Sequence, residues 1–221
     1  MSAGPHDHGH DHEHGHDHPH PTRPDADENL GYYQVMEIAL RELLIEKGVV
    51  TAAKLRQAVE VMDSRSPAQG ARIVARAWTE PDFKRRLMAD GTAAVRDFGI
   101  DMGTTRLFVV ENTPQLHNLV VCTLCSCYPR MVLGLPPDWY KSRNYRSRAV
   151  REPRAVLKEF GTEIADSIEL RVHDSTADMR YLVLPQRPPG TAGWSPDRLA
   201  DLVTRDTMIG VALAKEPAAQ G

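Results

Sequence analysis

All three cysteines of this chain fall within six positions, Cys122-Thr123-Leu124-Cys125-Ser126-Cys127, and the rest of its 221 residues hold none. Thiols that close can pair, carry redox chemistry or hold a metal. A disulfide leaves one sulfur over and suits oxidising compartments. A Cys-x-x-Cys redox pair is expected beside a βαβ pattern, which is missing here, and it leaves the third thiol unexplained. A structural zinc draws four ligands, usually from two separated pairs. Here a second pair is absent and only His117 stands nearby, so zinc fits poorly.

The single-residue step from Cys125 to Cys127 offers something else. Cys127 sulfur and its own amide nitrogen close a five-membered chelate ring. The nitrogens of Ser126 and Cys127 close another, and Cys125 sulfur with Ser126 nitrogen closes a six-membered one. The result is an approximate square of two sulfurs and two nitrogens, with Cys122 sulfur on the axis and the opposite position open. A peptide nitrogen binds only when a strongly acidic metal displaces its proton, which disfavours zinc and favours low-spin trivalent cobalt or iron.

The elements that must position this claw divide the chain into parts. Residues 1–29 include a histidine at every even position from His6 to His20, interleaved with Asp and Gly. Such a tract buries too little apolar surface to fold, and its imidazoles and carboxylates suit divalent first-row metals. A purification tag is the plainer reading, but tags are seldom interleaved in this way. A disordered metal-binding tail is expected. Residues 30–100 read as helices: "YYQVMEIALRELLIEKG" closed by Gly48, "TAAKLRQAVEVMDSR" opened by Thr51, "ARIVARAW", and a start signature at Thr79-Glu80-Pro81-Asp82. They carry no titratable cluster, and a helical arm for packing or partner docking is expected.

From about residue 104 the apolar period changes. "TRLFVVEN", "HNLVVC", "SIELRVHD" and "DMRYLVLPQ" read as strands, with short helices in "REPRAVLKEF" and "SPDRLADLVTRD". The expected fold class is α+β: a helical arm, then a mostly antiparallel sheet layered with helices over residues 101–215, and a flexible C-terminus over 216–221. Hydrophobic content of 41% and charged content of 26% are those of a globular chain. The formal charge of -3 is uneven, with -6 in residues 1–29 and +3 in the remainder. That scattered excess is no nucleic-acid footprint, and no membrane span is expected. Without an apolar signal-peptide core at the N-terminus, a cytoplasmic location is expected.

"VCTLCSC", followed by "GLPPDWYK", "YRSR", "REPR", "LPQRPPGT" and "LVTRDTMIGV", resembles the nitrile hydratase α-subunit family and the related thiocyanate hydrolase γ subunit, over residues 30 to 214. The resemblance implies a non-corrin cobalt(3+), or alternatively iron(3+), held by Cys122, Cys125, Ser126 and Cys127. It implies that Cys125 becomes a sulfinic acid and Cys127 a sulfenic acid. Thr123 matches the cobalt-type pattern, where iron-type members usually have serine. The implied activity is hydration of a nitrile to its amide by a Lewis-acidic metal. Cys127 would serve as base or nucleophile, and Cys125 and Ser126 would shape the site.

The implied partner is a β-type subunit in a heterodimer or higher heteromer, whose arginines hold the oxidised sulfurs, with a metallochaperone or activator as a further partner. After the claw the family commonly reads Tyr-Pro-Trp-Pro, whereas this chain reads Tyr128-Pro129-Arg130-Met131. A pocket glutamine nineteen residues before the first claw cysteine is replaced by Gly103. Arg130 suits an anion, as in thiocyanate hydrolysis, or a large polar nitrile such as a heterocyclic or nucleoside nitrile. Its plainer reading is a surface arginine paired to a partner carboxylate. "ENTPQLHNLVVC" and a short approach to "LRV" follow the nitrile pattern. A non-catalytic metal or redox module is a third reading. Tyr128 is expected to orient the claw through its hydroxyl. His117 is a pocket or outer-shell candidate whose plainer reading is structural. Tyr145, Arg146 and Arg148 are read as partner-contact or fold-stabilising residues, and His173 receives no role.

Overall fold

The computed structural model describes residues 31–125 and 127–217. The histidine-rich tail expected over 1–29, Ser126 and residues 218–221 of the expected C-terminal tail lie outside them. Two compact units divide at Ala52.

The first unit contributes α1 (Tyr32–Glu46), in which no residue is buried. Gly48 ends it as its position predicts. The N–H of Val49 donates to Leu44 O and that of Gly48 to Ile45 O, both at 3.0 Å, the paired bonds of a Schellman motif.

The second unit begins within α2 (Ala52–Asp63), also without buried residues. Next come α3 (Pro67–Thr79), α4 (Pro81–Ala89), α5 (Gly91–Ala94) and a 3₁₀ turn at Val95–Phe98, leading to β1 (Arg106–Glu111) and β2 (Leu116–Val121). The claw follows β2. Beyond it lie α6 (Arg130–Leu133), α7 (Asp138–Lys141), α8 (Arg143–Arg151), α9 (Pro153–Glu159), β3 (Glu169–Asp174), β4 (Met179–Leu184), α10 (Pro196–Ala200) and α11 (Arg205–Ile209).

Proline at the first helical position costs no hydrogen bond, and it opens α3, α4, α9 and α10. Thr79, expected as a cap, instead donates its hydroxyl to Ala75 O, and Glu80 takes the cap position of α4. The single helix read in "SPDRLADLVTRD" is two. Ser195 caps α10, and Thr204 forms a reciprocal capping box with Thr207 that starts α11.

The sheet is not antiparallel. β1 pairs with β4 and β2 with β3, each in parallel, as two two-stranded sheets. Alternating apolar residues reveal a strand and its inner face, but not its partner or direction. Parallel pairing requires a long crossover, and residues 122–168, from the claw through α9, supply it between β2 and β3. Nor is the segment before residue 100 all arm. Ile73, Val74, Phe83 and Leu87 are at most 1% exposed and share one core with Leu119, Val120, Leu182 and Val183 of the strands.

A polar network runs along β2 and its neighbour β3. His117, on β2, points Nε2–H at Gly210 O over 2.7 Å. That fixes its tautomer and leaves Nδ1 to accept from Asn112 Nδ2 at 3.3 Å. His173 on β3 donates from Nε2 to Asn118 Oδ1 at 2.8 Å. Burial holds both imidazoles below their ordinary range, with Arg171 adding to the effect at His173.

The neutral forms are therefore favoured in the fold, and the unfolded chain takes up protons first as pH falls. Their contribution to stability is present above about pH 6.5 and is lost as pH drops through the lowered native values. The melting temperature should fall between pH 7 and pH 5. His117→Gln, whose amide can still donate to Gly210 O, should flatten that dependence; an unchanged slope would remove His117 from the account.

Candidate metal centre

β2 delivers Cys122 at its C-terminal end, where the side chain is 1% exposed. The loop then turns back on itself. The N–H of Cys125 donates to Cys122 Sγ at 3.3 Å, and Cys122 Sγ lies 3.5 Å from Cys125 Sγ. Cys125 Sγ lies 3.2 Å from Cys127 Sγ, and all three sulfurs fall within 4.8 Å of one another. Burial, with the neighbouring Cys125 adding to it, pushes the Cys127 thiol up to about 12, while the charge of Arg180 opposes the rise. A cation placed among the sulfurs reverses that balance, because a coordinating thiol gives up its proton. The sulfur donor set therefore fits a thiophilic first-row metal. The Ser126 nitrogen of the expected ligand set lies outside the described residues.

Four side chains hold the loop and the strand end that leads into it. Asp174, at the end of β3, accepts from Thr123 N at 2.9 Å and from Thr123 Oγ1 at 2.6 Å, one bond to each carboxylate oxygen. Arg146 Nη1 donates to Cys125 O and Tyr140 Oη to Cys127 O, each at 2.8 Å. Tyr145 Oη donates to Val120 O at 2.6 Å, just before the claw. Burial pushes both phenols well above their ordinary range, so they remain donors. Trp139, Tyr140, Tyr145 and Phe160 stack edge-on behind the loop. Arg148 is turned away from the site, into ion pairs with Glu152 and Glu159 that join α8 to α9.

The Asp174 clamp is charge-assisted and holds the loop from one side. Asp174→Ala should make a metal held by the three sulfurs leave for a chelator roughly tenfold faster, as loss of a partner behind the ligands typically does, with the Asn variant between. Equal release rates would show that the clamp does not hold the claw.

A cavity of about 370 Å³ opens on the sulfurs, lined by Met102, Thr105, Cys125, Cys127, Tyr128, Arg130, Met131 and Arg180. Of the residues singled out from the sequence, it gathers Cys125, Cys127, Tyr128 and Arg130. Tyr128 lies there with its hydroxyl buried and without a hydrogen-bond partner among the described residues. Tyr140, not Tyr128, supplies the hydroxyl that orients the claw. Thr123 faces Asp174, and His117 is committed to Gly210 and Asn112 rather than to the claw. Gly103 directly follows Met102 and donates to Asp101 Oδ1 at 2.9 Å.

Sequence reasoning missed Arg180 and Asp174. Both sit at strand ends, where pairing β3 beside β2 and β4 beside β1 brings them to the claw, so no local signal marks them. Tyr140 did carry one, inside "GLPPDWYK".

The family described as nitrile hydratase, alpha chain, matches residues 31–212. The cobalt-containing nitrile hydratase subunit alpha of Pseudonocardia thermophila is 53% identical over 180 residues, 80% of this chain and 88% of that one. The thiocyanate hydrolase subunit gamma of Thiobacillus thioparus is 44% identical over 200 residues, 85% and 82% of the two chains. A recombinant thiocyanate hydrolase with partially modified cobalt centres superposes with a TM-score of 0.80 at 42% identity, covering 85% of this chain and 92% of the other. A double mutant of the Fe-type nitrile hydratase from Comamonas testosteroni Ni1 does so with a TM-score of 0.77 at 44% identity, covering 83% and 92%.

Proposed function

This chain belongs to the nitrile hydratase α-chain family, and we propose that it is the metal-bearing subunit of a cobalt-type enzyme hydrating a nitrile to its amide. The observation that carries the reading is the set of three sulfurs within 4.8 Å, two of which line a cavity. The sulfurs of Cys122, Cys125 and Cys127, with the main-chain nitrogens of Ser126 and Cys127, would hold the ion. Cobalt(3+) bound there supplies Lewis acidity towards a nitrile or a water. Thr123 and the cobalt-containing relatives favour cobalt over iron.

The chain's own groups set the rest. Tyr140 and Arg146 fix the carbonyls of Cys127 and Cys125, so the two sulfurs keep their places as the reaction proceeds. Cys127 faces the cavity. A sulfenate oxygen on its sulfur would meet the substrate there and act as base or nucleophile at the nitrile carbon, with the Cys125 sulfinate orienting the site. Arg180 and Arg130 make the cavity electropositive, which draws negative or strongly dipolar substrates. That suits a large polar nitrile better than a small apolar one.

The same two arginines favour a second reading, hydrolysis of thiocyanate. A β-type partner would complete the site, and the exposed Tyr32, Tyr33, Met36 and Leu40 of α1 suit a docking role. Among the described residues, no helix is long and apolar enough to cross a membrane. The test is to incubate the cobalt-loaded heteromer with a panel of nitriles and with thiocyanate. Amide release is expected. Carbonyl sulfide release with no amide would establish the second reading, and neither product would reduce the site to a metal module.

A further inference from the structure

The cavity at the claw has a neighbour. A second cavity of about 260 Å³ is lined by Val61, Arg65, Ile100 and Asp101, and it shares one wall, Met131, with the first. Ile100 and Asp101 run directly into Met102, which lines the cavity at the claw, so the two spaces follow each other along the chain as well as across Met131. The backbone that carries that wall is seated in place. α6, which carries Arg130 and Met131, ends at Gly134, and a Cβ built there would lie 2.5 Å from Arg65 O. The backbone that bears Arg65 is thus seated against the end of the helix that bears the wall. The wall itself is a side chain with three rotatable bonds and no branch, the kind that yields to a ligand at small cost.

The charged groups along this path are Arg130 and Arg180 in the first cavity and Arg65 and Asp101 in the second. One carboxylate oxygen of Asp101 already accepts the N–H of Gly103. The guanidinium of Arg65 has no hydrogen-bond or ion-pair partner among the described residues, so its fork remains available to a carboxylate or another anion.

We propose that the two cavities form one substrate channel, in which Met131 is the movable partition and Arg65 receives an anionic group at the far end of an elongated nitrile. The proposal rests on the hydratase reading and adds to it a substrate class: nitriles too long for the space at the claw, carrying a carboxylate or similar anion remote from the triple bond. Thiocyanate, three atoms long, would never reach Arg65.

The test uses the cobalt-loaded heteromer and three matched probes: a short aliphatic nitrile, an elongated aryl nitrile with a distal carboxylate, and its analogue with a distal ammonium. The readout is the ratio of kcat/KM for each elongated probe to that for the short one. Binding of the carboxylate-bearing amide, followed by ligand-observed NMR, gives a second readout that needs no turnover. Arg65→Glu should lower the carboxylate ratio by about tenfold and raise the ammonium ratio, since a charge-assisted hydrogen bond is replaced by a like-charge contact. Met131→Trp should lower both elongated ratios by about tenfold by filling the passage. Met131→Ala should raise both, and it serves if the tryptophan variant does not assemble.

Ratios and amide binding unchanged in Arg65→Glu and in the Met131 variants would overturn the proposal. Wild-type heteromer that hydrates no nitrile, but binds the amide in a way that depends on Arg65 and Met131, would overturn the hydratase reading and leave the channel standing.

Discussion

Replacing Cys122 by serine should strip the chain of its metal and abolish turnover together. Cys122 is the most deeply buried of the three cysteines, 1% exposed at the end of β2, and its sulfur accepts the Cys125 N–H that turns the loop. A serine hydroxyl is a harder ligand, and it does not ionise where a metal-bound thiol does. The substitution therefore removes a sulfur that would help hold the metal, while the serine oxygen can still accept the Cys125 N–H and keep the turn. Cobalt should fall from about one ion per chain to below about a tenth of that, because affinity depends on every ligand of a small set. The fold should survive, since the core formed by α3, α4 and the strands does not pass through the claw. Metal analysis beside circular dichroism checks both halves, and a folded variant with full cobalt would show that Cys122 is no ligand.

The second large effect lies against the middle of β2. Gly210 closes α11 with φ +89°, a conformation costly for any residue with a Cβ, and a Cβ there would stand 2.0 Å from Asn118 O and 3.2 Å from Leu119 Cα. These are backbone atoms of a buried strand, so no flexible side chain can give way. Its carbonyl also accepts from His117. Gly210→Ala combines the left-handed penalty of about 1–2 kcal/mol with an overpacking cost of about 1–3 kcal/mol. The melting temperature should drop on the order of 10 °C, read by thermal unfolding of the metal-free chain to keep metal linkage out of the comparison. A shift of about 1 °C would show that the contact relaxes at little cost.

What the sequence disclosed, and what it withheld, divides along one physical line. Local signals were legible. Val, Leu and Ile runs located all four strands, prolines and Ser195 marked helix starts, and Gly48 marked an end. The claw stood out because cysteine is scarce and its spacing suits chelation.

Features that depend on long-range pairing were not legible. The parallel direction of β1–β4 and β2–β3 follows from a crossover whose course no local pattern encodes. α8 (Arg143–Arg151) was passed over because arginines dominate it and it buries only Tyr145 and Ala149, one turn apart. Arg180 and Asp174 reach the claw only because strand pairing brings them there. Arg146, read as a partner-contact or fold-stabilising residue, holds the Cys125 carbonyl. His117 looked close to the cysteines along the chain, but it points away along β2 into the polar network at Gly210.

The most direct measurement is metal analysis of the purified holoprotein combined with intact mass of the tryptic peptide 107–130, which carries all three cysteines. One cobalt per chain with two or three oxygens added to that peptide is the predicted result. Tetrahedral zinc, or three unmodified thiols with neither cobalt nor iron bound, would contradict it.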